Sequence, residues 1–337
     1  MNPCTVTIII CTCNRADNLA KTLDAIGRLE VPRDLLAELL VVDNASSDST
    51  HDVVRRCTLG NMRVRYLHEP RRGKCNALNT SLAQSGGEII LFTDDDVRPP
   101  VGWIEALCRP IAADQADIVK GHVVMSPENR RICDGAANLH WLRDAESDDR
   151  GEPVASGSNM AVARRVLGAI SGFDPELGPG ALGFHDDVLF WEQLVAAGAR
   201  PCVARGPDSV VEHHFDPRRL ERAAMKREAA SSGRSIAYFD YHWAHSAPAD
   251  PTWRILRSYA GLWWARARNP FRCWSSKGIP PAERYQYFKL GYLLQLKREM
   301  RRPRNYRLRG VCKIHGTLPQ PFPEGAACYP TEPGNGL

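Results

Sequence analysis

The chain has 337 residues, enough for one large core with an appendage or for two modest domains, and its 43% hydrophobic and 25% charged residues are ordinary for a soluble globular protein. The formal net charge is +5. No uninterrupted apolar stretch reaches the roughly 18–20 residues of a membrane-spanning helix, and the first residues lead straight into a strand-like segment, so we expect neither a spanning helix nor a signal peptide.

Short apolar runs alternate with helical patterns through the first hundred residues. Strands are predicted at 5–11, 39–42, 64–67 and 88–93. Helices are predicted after Asp17 as N-cap, through Val53 and Val54 with an N-cap among residues 47–49, and over 74–84. A strand at 118–124, helices at 157–170 and 188–197, and short strands at 200–204 and 209–211 follow. This alternation predicts an α/β fold with a doubly wound, mostly parallel sheet.

The alternation stops near residue 215, and the charge balance changes there. Residues 1–215 carry 22 Lys and Arg against 30 Asp and Glu, whereas residues 216–309 carry 21 against 7. We therefore divide the chain into a catalytic domain at 1–215, a basic and mainly helical region at 216–317, and a disordered Pro- and Gly-rich tail at 318–337. The basic region is expected to face an anionic partner.

Cysteine usage indicates the redox compartment. The eleven cysteines show no CxxC pair and no other zinc spacing, and Cys4, Cys11, Cys13 and Cys202 lie in predicted core strands. This pattern favours a reduced, cytoplasmic protein over a disulfide framework. Peripheral attachment to the inner face of the membrane stays open.

Three consecutive aspartates, Asp94, Asp95 and Asp96, close the predicted strand at 88–93. The carboxyl edge of an open α/β sheet is where ligands bind. Carboxylates so close together repel one another unless a cation neutralises them, and a divalent ion such as Mn2+ or Mg2+ that bridges to a substrate phosphate is the usual solution. The alternative for an isolated triplet is a solvated acidic turn.

Other polar residues follow the neighbouring strands. Asp43 ends the second predicted strand, and Thr12, Asn14 and Arg15 follow the first, so all four belong to the same sheet edge. A carboxylate in this position accepts hydrogen bonds from a base or ribose hydroxyl in nucleotide-binding folds. For Asp43 alone, an Asx turn or helix cap is equally consistent with the sequence.

Three further groups have two interpretations each. Lys74 and the arginines before it, at the start of a helix, suit either phosphate binding or an exposed basic loop. Asp186 and Asp187 follow a glycine-rich loop at a helix start, where a carboxylate serves as a base or simply as N-terminal acid. His213 follows a short strand, where it serves either as a metal ligand or as an ordinary packed or exposed imidazole.

Taken in order, seven motifs resemble family 2 glycosyltransferases of the GT-A fold over roughly residues 5–215. The motifs are Ile8-Ile9-Ile10-Cys11-Thr12-Cys13-Asn14-Arg15, Val41-Val42-Asp43-Asn44-Ala45-Ser46-Ser47-Asp48-Ser49-Thr50, Arg72-Gly73-Lys74-Cys75-Asn76-Ala77-Leu78-Asn79, Asp94-Asp95-Asp96, Gly157-Ser158-Asn159-Met160-Ala161, Gly172-Phe173-Asp174 and Asp186-Asp187. A single motif of this kind is weak, but seven in the right order are specific.

The resemblance implies a role for each candidate residue. The nucleotide would be bound by Thr12, Asn14, Arg15 and Asp43. Lys74 and Asn76 would contact the base and the diphosphate, and Asp94 would contact the ribose. A divalent ion, Mn2+ or Mg2+, would be held by Asp96 with His213 nearby, and whether Asp95 shares it is open. Asp187 matches the family's general base, and Asp186 replaces the glutamate usual before it.

The reaction that the resemblance implies is inverting transfer of one sugar from a nucleotide-diphosphate sugar to an acceptor hydroxyl, on a lipid-linked or glycan acceptor. The chain lacks the Gln-x-x-Arg-Trp motif of processive synthases. A nucleotidyltransferase, a retaining GT-A glycosyltransferase and a binding protein with an inactive site are the alternatives. A nucleotidyltransferase would need a glycine-rich, lysine-bearing loop after the first strand.

The basic region contains an apolar stripe at helical spacing. It comprises Trp253, Leu256, Ala260, Trp263 and Ala267, with Trp264 beside it and Arg254, Arg257, Arg266 and Arg268 along it. Either the stripe packs on the catalytic domain, or it forms a peripheral surface for an anionic membrane. Nucleic acid is not expected as a partner, since no binding motif accompanies the basic residues.

Overall fold

The computed structural model describes residues 3–133, 156–268 and 278–318, so the predicted tail lies outside the described residues except for Leu318. The strands are β1 (Cys4–Thr12), β2 (Leu35–Asp43), β3 (Arg63–His68), β4 (Ile89–Asp94), β5 (Val97–Arg98), β6 (Ile118–Lys120), β7 (His122–Met125), β8 (Asn159–Ala163), β9 (Pro201–Val203) and β10 (Val210–His213). The helices are α1 (Ala16–Ile26), α2 (Thr50–Arg56), α3 (Lys74–Gln84), α4 (Trp103–Ala112), α5 (Pro127–Cys133), α6 (Asp186–Ala196), α7 (Arg222–His242), α8 (Thr252–Ala267) and α9 (Pro281–Glu299).

A seven-stranded sheet with the order β3-β2-β1-β4-β8-β6-β9 forms the centre of the fold. Neighbouring strands are parallel except at β8, which runs antiparallel to both β4 and β6. The prediction of a mixed α/β fold with a mostly parallel sheet is confirmed. Thr12 pairs with Asp43, and Cys11 pairs with Asp94, so the carboxyl ends of β1, β2 and β4 meet at one edge.

Strand β1 shows why the sheet is covered on both faces. Its alternate residues Ile8 and Ile10 pack with Leu19 and Leu23 of α1, whereas Ile9 packs on the other side with the α3 residue Leu78. Because successive side chains of a strand point to opposite faces, an uninterrupted apolar run requires two apolar layers. Polar residues are thus left to the strand ends, where the cavity lies.

The strand predicted at 118–124 is in fact two strands that belong to different sheets. It is interrupted at Gly121, where a Cβ atom would lie 2.4 Å from both the Asn159 side chain and the Ser209 carbonyl oxygen. Beyond the break, β7 joins a three-stranded sheet of order β5-β10-β7. In this sheet His213 pairs with Val97, which brings the histidine next to the three aspartates.

Two local predictions were wrong. The segment predicted as a helix at 157–170 is strand β8 followed by a 3-10 turn over Arg164–Ala169. Every residue of β8 is buried between β4 and β6, so its sequence shows no amphipathic period that would identify it as a strand. Asp17 does not cap α1; instead Asp48 accepts a hydrogen bond from the Ala16 N–H at 3.0 Å.

The basic region is helical, as predicted. Helices α7 and α9 approach closely, because a Cβ atom at Gly233 would lie 2.1 Å from the Phe288 carbonyl oxygen, and one at Gly291 would lie 2.2 Å from that of Ala230. Helix α8 packs on α9. Within the ranges that the structure describes, no helix is long and apolar enough to cross a membrane.

Candidate active site

A cavity of about 910 Å3 opens at the carboxyl edge of the large sheet. The predicted site residues that line it are Thr12, Arg15, Lys74, Asp94, Asp95, Asp96, Asp186, Asp187 and His213. They arrive from the ends of β1, β4 and β10 and from the starts of α3 and α6. Residues far apart in the sequence thus converge because parallel strands end at one edge.

The three aspartates have different surroundings. The Asp94 carboxylate accepts from the Lys74 ammonium at 2.5 Å. Asp95 accepts from the Thr12 hydroxyl at 2.7 Å through one oxygen and from the Arg15 guanidinium at 2.7 Å through the other. The Oδ2 atom of Asp96 also accepts from Arg15 at 2.7 Å. Arg15 thus bridges Asp95 and Asp96, and Asp96 also lies beside His213.

Burial and the neighbouring opposite charges shift the pKa values of these groups in opposite directions. Burial raises the pKa of the Asp95 carboxyl, and Arg15 only partly offsets it. For Asp96 the nearby His213 and Arg15 outweigh burial, and its pKa lies below the usual range. Burial lowers the pKa of Arg15 less than Asp95 and Asp96 raise it. Asp96 is thus the stronger acid of this adjacent pair.

Asp96 and His213 have the chemistry of a divalent metal half-site. The Oδ2 atom of Asp96 lies 3.5 Å from Nε2 of His213, and neighbouring ligands of an octahedral ion at about 2.1 Å are about 3 Å apart. Within the described ranges no group of three His, Cys, Asp or Glu side chains is arranged to hold an ion. Two protein ligands suffice where substrate phosphates complete the coordination, as is usual for Mg2+. The residues therefore fit such an ion.

Lys74 lies at the first turn of α3, and its backbone is fixed by the glycine-rich loop that precedes α6. Its N–H donates to the Pro179 carbonyl at 2.9 Å, and Gly180 packs directly on Gly73. At Gly180, with φ of 90°, a Cβ atom would lie 2.8 Å from the Gly73 Cα. Burial lowers the pKa of Lys74, but Asp94 and Asp186 outweigh it, so the ammonium stays charged beside the cavity.

Asp186 and Asp187 begin α6 and differ in environment. Both oxygens of Asp187 accept backbone N–H bonds, from Gly157 at 2.8 Å and from Val188 at 2.9 Å, which fixes the orientation of the carboxylate. Asp186 is buried against the loop at Gly178. Burial, with the adjacent Asp187 charge, raises the pKa of Asp186. Burial thus gives the Asp186 carboxyl a higher proton affinity than an exposed carboxyl has.

Three predicted residues do not line the cavity. Asp43 is buried and accepts from the Ser46 N–H at 2.9 Å and from the Tyr66 hydroxyl at 2.8 Å. Asn14 accepts from the Ser47 N–H at 2.7 Å, and Asn76 donates to the Arg72 carbonyl at 2.9 Å. Their visible contacts order the loops around the cavity. Cys13 and Arg15, on either side of Asn14, and Asn44, directly after Asp43, do line it.

The structure adds lining residues that the sequence did not indicate. Asn44 bonds the Gly73 N–H at 2.8 Å and the Arg71 carbonyl at 2.7 Å, and thereby holds the basic loop. The sequence signal that could have identified Asn44 as a site residue was its position directly after Asp43. Arg219, Glu228 and Ser232 reach the cavity from the region after residue 215. Only tertiary packing brings those three to the site.

Comparisons with known proteins agree with this arrangement. Residues 7–170 match a family model described as Glycosyl transferase family 2. Glycosyltransferase AglE of Haloferax volcanii is 34% identical over 126 residues, which cover 37% of this chain and 41% of that protein. Pre-mycofactocin glycosyltransferase of Mycobacterium tuberculosis is 27% identical over 255 residues, which cover 72% of this chain and 49% of that protein. The chain thus matches about half or less of the length of each relative.

Among solved structures, the mannosyltransferase PcManGT from Pyrobaculum calidifontis, in complex with GDP-Man and Mn2+, shares the fold with a TM-score of 0.53 and 22% identity. The alignment covers 88% of each chain. The common architecture is the GT-A fold, with the large sheet at its centre. Residues 7–170 therefore match glycosyl transferase family 2, and the chain shares the GT-A fold with this neighbour.

Proposed function

We propose that this protein transfers a single sugar from a nucleotide-diphosphate sugar to an acceptor hydroxyl, with inversion at the anomeric carbon. The observation that carries the proposal is the meeting, in one cavity, of the Asp96–His213 pair, the Lys74 ammonium and the oriented Asp187 carboxylate. An anion-binding end thus faces the same space as a candidate base. The names of the relatives and the Mn2+ complex of the fold neighbour support this reading.

The donor would lie along the sheet edge. Arg15 and Lys74 offer cationic groups to the diphosphate, and Asp96 with His213 would hold Mn2+ or Mg2+ between them. A bound divalent ion supplies electrostatic stabilisation of the charge on a leaving diphosphate, worth several kcal/mol. The nucleotide end would be shaped by Thr12, Asn14, Asp43, Asn76, Asp94 and Asp95, as the family resemblance implies.

Asp187 is the proposed general base. It would accept the proton of the acceptor hydroxyl as that oxygen bonds to the anomeric carbon on the face opposite the diphosphate. The bond from the anomeric carbon to the phosphate oxygen breaks, and its electron pair leaves with the diphosphate. Because two backbone N–H groups fix the carboxylate, it needs little reorganisation, and a positioned base contributes roughly 10²–10⁴-fold to the rate.

The acceptor side of the cavity is proposed to lie in the region after residue 215. The Arg219 guanidinium donates to Oε1 of Glu228 at 2.7 Å. The other oxygen, Oε2, is buried without a hydrogen-bond partner among the described residues. An unpaired buried acceptor is costly, and a substrate hydroxyl would satisfy it. We therefore assign Glu228 to the binding of a hydroxylated acceptor, lipid-linked or glycan.

Two measurements test the function. Thermal unfolding with a panel of nucleotide sugars and Mn2+ identifies the donor, since a ligand at 100 times its dissociation constant adds about 2.7 kcal/mol of stability. Proton NMR of the product then gives the anomeric configuration. A product that retains the donor configuration contradicts the proposed role of Asp187. The absence of stabilisation by every nucleotide sugar contradicts the function itself.

A further inference from the structure

Helix α8 has its apolar side chains on two opposite faces, and one of them faces solvent. Its inner face, with Ile255 and Leu262, packs on Leu290 and Leu293 of α9. The outer face exposes Trp253 at 70%, Leu256 at 59%, Trp263 at 71% and Trp264 at 54% of their surfaces. The stripe that the sequence identified therefore does not pack on the catalytic domain.

The exposed side chains form one continuous band. At 3.6 residues per turn, Trp253, Leu256, Trp263 and Trp264 fall within an arc of about 100°, over a helix length of roughly 16 Å. Scattered exposed apolar residues are normal on a protein surface, but a contiguous band of this kind marks an interaction site. Three large tryptophan side chains in one band leave extensive apolar surface in water.

The charged side chains of helix α8 itself are all positive. Helix α8 contains Arg254, Arg257 and Arg266 and no acidic residue. By the same helical geometry, Arg257 and Arg268 lie along one edge of the band, and the Arg268 guanidinium is 4.8 Å from the Trp264 ring centroid. Arg254, Arg257 and Arg268 are all exposed. The partner of this face must therefore accept both apolar side chains and cations.

We propose that the outer face of α8 docks on an anionic lipid bilayer. Tryptophan is enriched at the level of lipid headgroups, and arginine stems lie along apolar surface while their guanidinium groups reach phosphate. A helix lying in that layer buries its apolar face by 5–10 Å and gains from anionic lipid. A second copy of this chain suits the face less well, because an isologous contact would bring like-charged arginines together.

The docking surface is connected to the cavity through packed helices. Glu228 and Ser232 of α7 line the cavity, α7 packs on α9, and α9 packs on α8. Packed helix axes are 8–10 Å apart, so the axis of α8 lies at most roughly 20 Å from that of α7. Packed helices thus connect the proposed membrane-docking face to the wall of the cavity, whatever reaction the cavity performs.

Co-sedimentation of the full chain with vesicles tests the proposal. The vesicles consist of phosphatidylcholine alone or of phosphatidylcholine mixed with phosphatidylserine, each at low and high salt. We expect binding to the mixed vesicles that weakens at high salt, with a blue shift of tryptophan fluorescence. No binding to the mixed vesicles at low salt overturns the proposal.

Matched variants distinguish the docking face from general surface properties. Leu256→Gln and Trp263→Gln should reduce binding, whereas Leu36→Gln, at a residue 60% exposed on β2, should not. Arg257→Gln should lower the partition coefficient about fivefold, and the exposed Arg33→Gln should leave it unchanged. All these side chains are exposed, and unchanged thermal midpoints verify that the variants fold. An equal loss of vesicle binding in the test and control variants overturns the proposal. The proposal is also overturned if the protein does not bind vesicles but self-associates, and the Trp263 substitution abolishes that self-association.

Discussion

Asp174 and Lys313 form an ion pair whose side chains are both 0% accessible to solvent. The other Asp174 oxygen accepts from the Tyr238 hydroxyl at 2.6 Å and from the Tyr306 hydroxyl at 2.7 Å. Asp174 lies in the glycine-rich loop that lines the cavity, and its three side-chain partners, Lys313, Tyr238 and Tyr306, all come from the region after residue 215. The loop and the C-terminal region are therefore anchored to each other at one carboxylate.

Lys313→Met should strongly destabilise the protein, because the Asp174 carboxylate is left buried without its counter-ion. Removal of one partner of a buried pair typically costs about 3–5 kcal/mol, and we expect that decrease in the free energy of unfolding measured in urea. The control is Asp34→Asn, which breaks the exposed pair with Arg109 and should change stability little. Equal effects of the two substitutions contradict a structural role for the buried pair.

The sheet was predictable because its strands are apolar runs that end abruptly in polar residues. Helix α3 begins and ends as predicted, at Lys74 and Gln84, since a glycine pair follows it. Strand β8 was not predictable, because burial on both faces removes any period. Lys313 falls in the region predicted to be basic and mainly helical, and no feature of the sequence identifies its buried partner Asp174, which lies 139 residues away.

The candidate-site residues that directly follow the ends of strands were predictable from the sequence. Asp94, Asp95 and Asp96 follow β4 directly, and the register of parallel strands brings Thr12 and Arg15 to the same edge. Residues contributed by α7 could not be found in this way, because nothing in the sequence fixes which face of a C-terminal helix meets the sheet edge.

Asp187→Asn should abolish sugar transfer and leave donor binding nearly intact. The amide keeps the shape of the side chain but cannot accept the acceptor proton, so we expect kcat to fall roughly 10²–10⁴-fold. Donor affinity is measured by calorimetry, and turnover by release of the nucleoside diphosphate. Asp17→Asn is the matched control, an exposed acid in the first turn of α1. Near-normal turnover of the Asp187 variant contradicts its assignment as the base.

Asp96→Ala should remove the effect of Mn2+ on nucleoside diphosphate binding, and His213→Ala should weaken it at least about tenfold. The reason is that these two side chains are the adjacent oxygen and nitrogen donors in the cavity. Calorimetry with and without Mn2+ measures the effect, and His51→Ala serves as control at an exposed histidine. Should the wild-type protein bind the diphosphate equally well in both conditions, the ion has no part in donor binding.

Asp186→Asn should become stabilising relative to the wild type as the pH rises. Burial and the Asp187 charge raise the pKa of Asp186 above its ordinary value of 3.8. Between the unfolded and folded pKa values the folded state binds more protons, so a rise in pH removes stability, on the order of 1 kcal/mol per pH unit. The side-chain amide of the Asp186→Asn variant does not titrate, so the variant does not lose stability in this way. Urea unfolding at pH 4 to 8 measures it, and a constant difference between the proteins contradicts the burial of an ionisable Asp186.

Glu228→Gln should raise the KM for the acceptor and leave the KM for the donor unchanged. Oε2 of Glu228 is buried without a hydrogen-bond partner among the described residues, whereas Oε1 accepts from Arg219. Substitution by the amide keeps the volume and removes the charge that strengthens a bond from a substrate hydroxyl. A hydrogen bond to a charged group contributes about 1.5–3 kcal/mol, which corresponds to a rise of roughly 10- to 150-fold in acceptor KM.

Glu221→Gln, at an exposed glutamate just before α7, is the matched control for that change and should alter neither constant. Steady-state kinetics with the identified donor, varied against acceptor concentration, separates the two constants. A fall in kcat at saturating acceptor, with its KM unchanged, would instead place Glu228 in the chemical step. An equal rise in both KM values would mean that the substitution disturbs the cavity as a whole, because the α7 wall would then act on the donor and the acceptor alike.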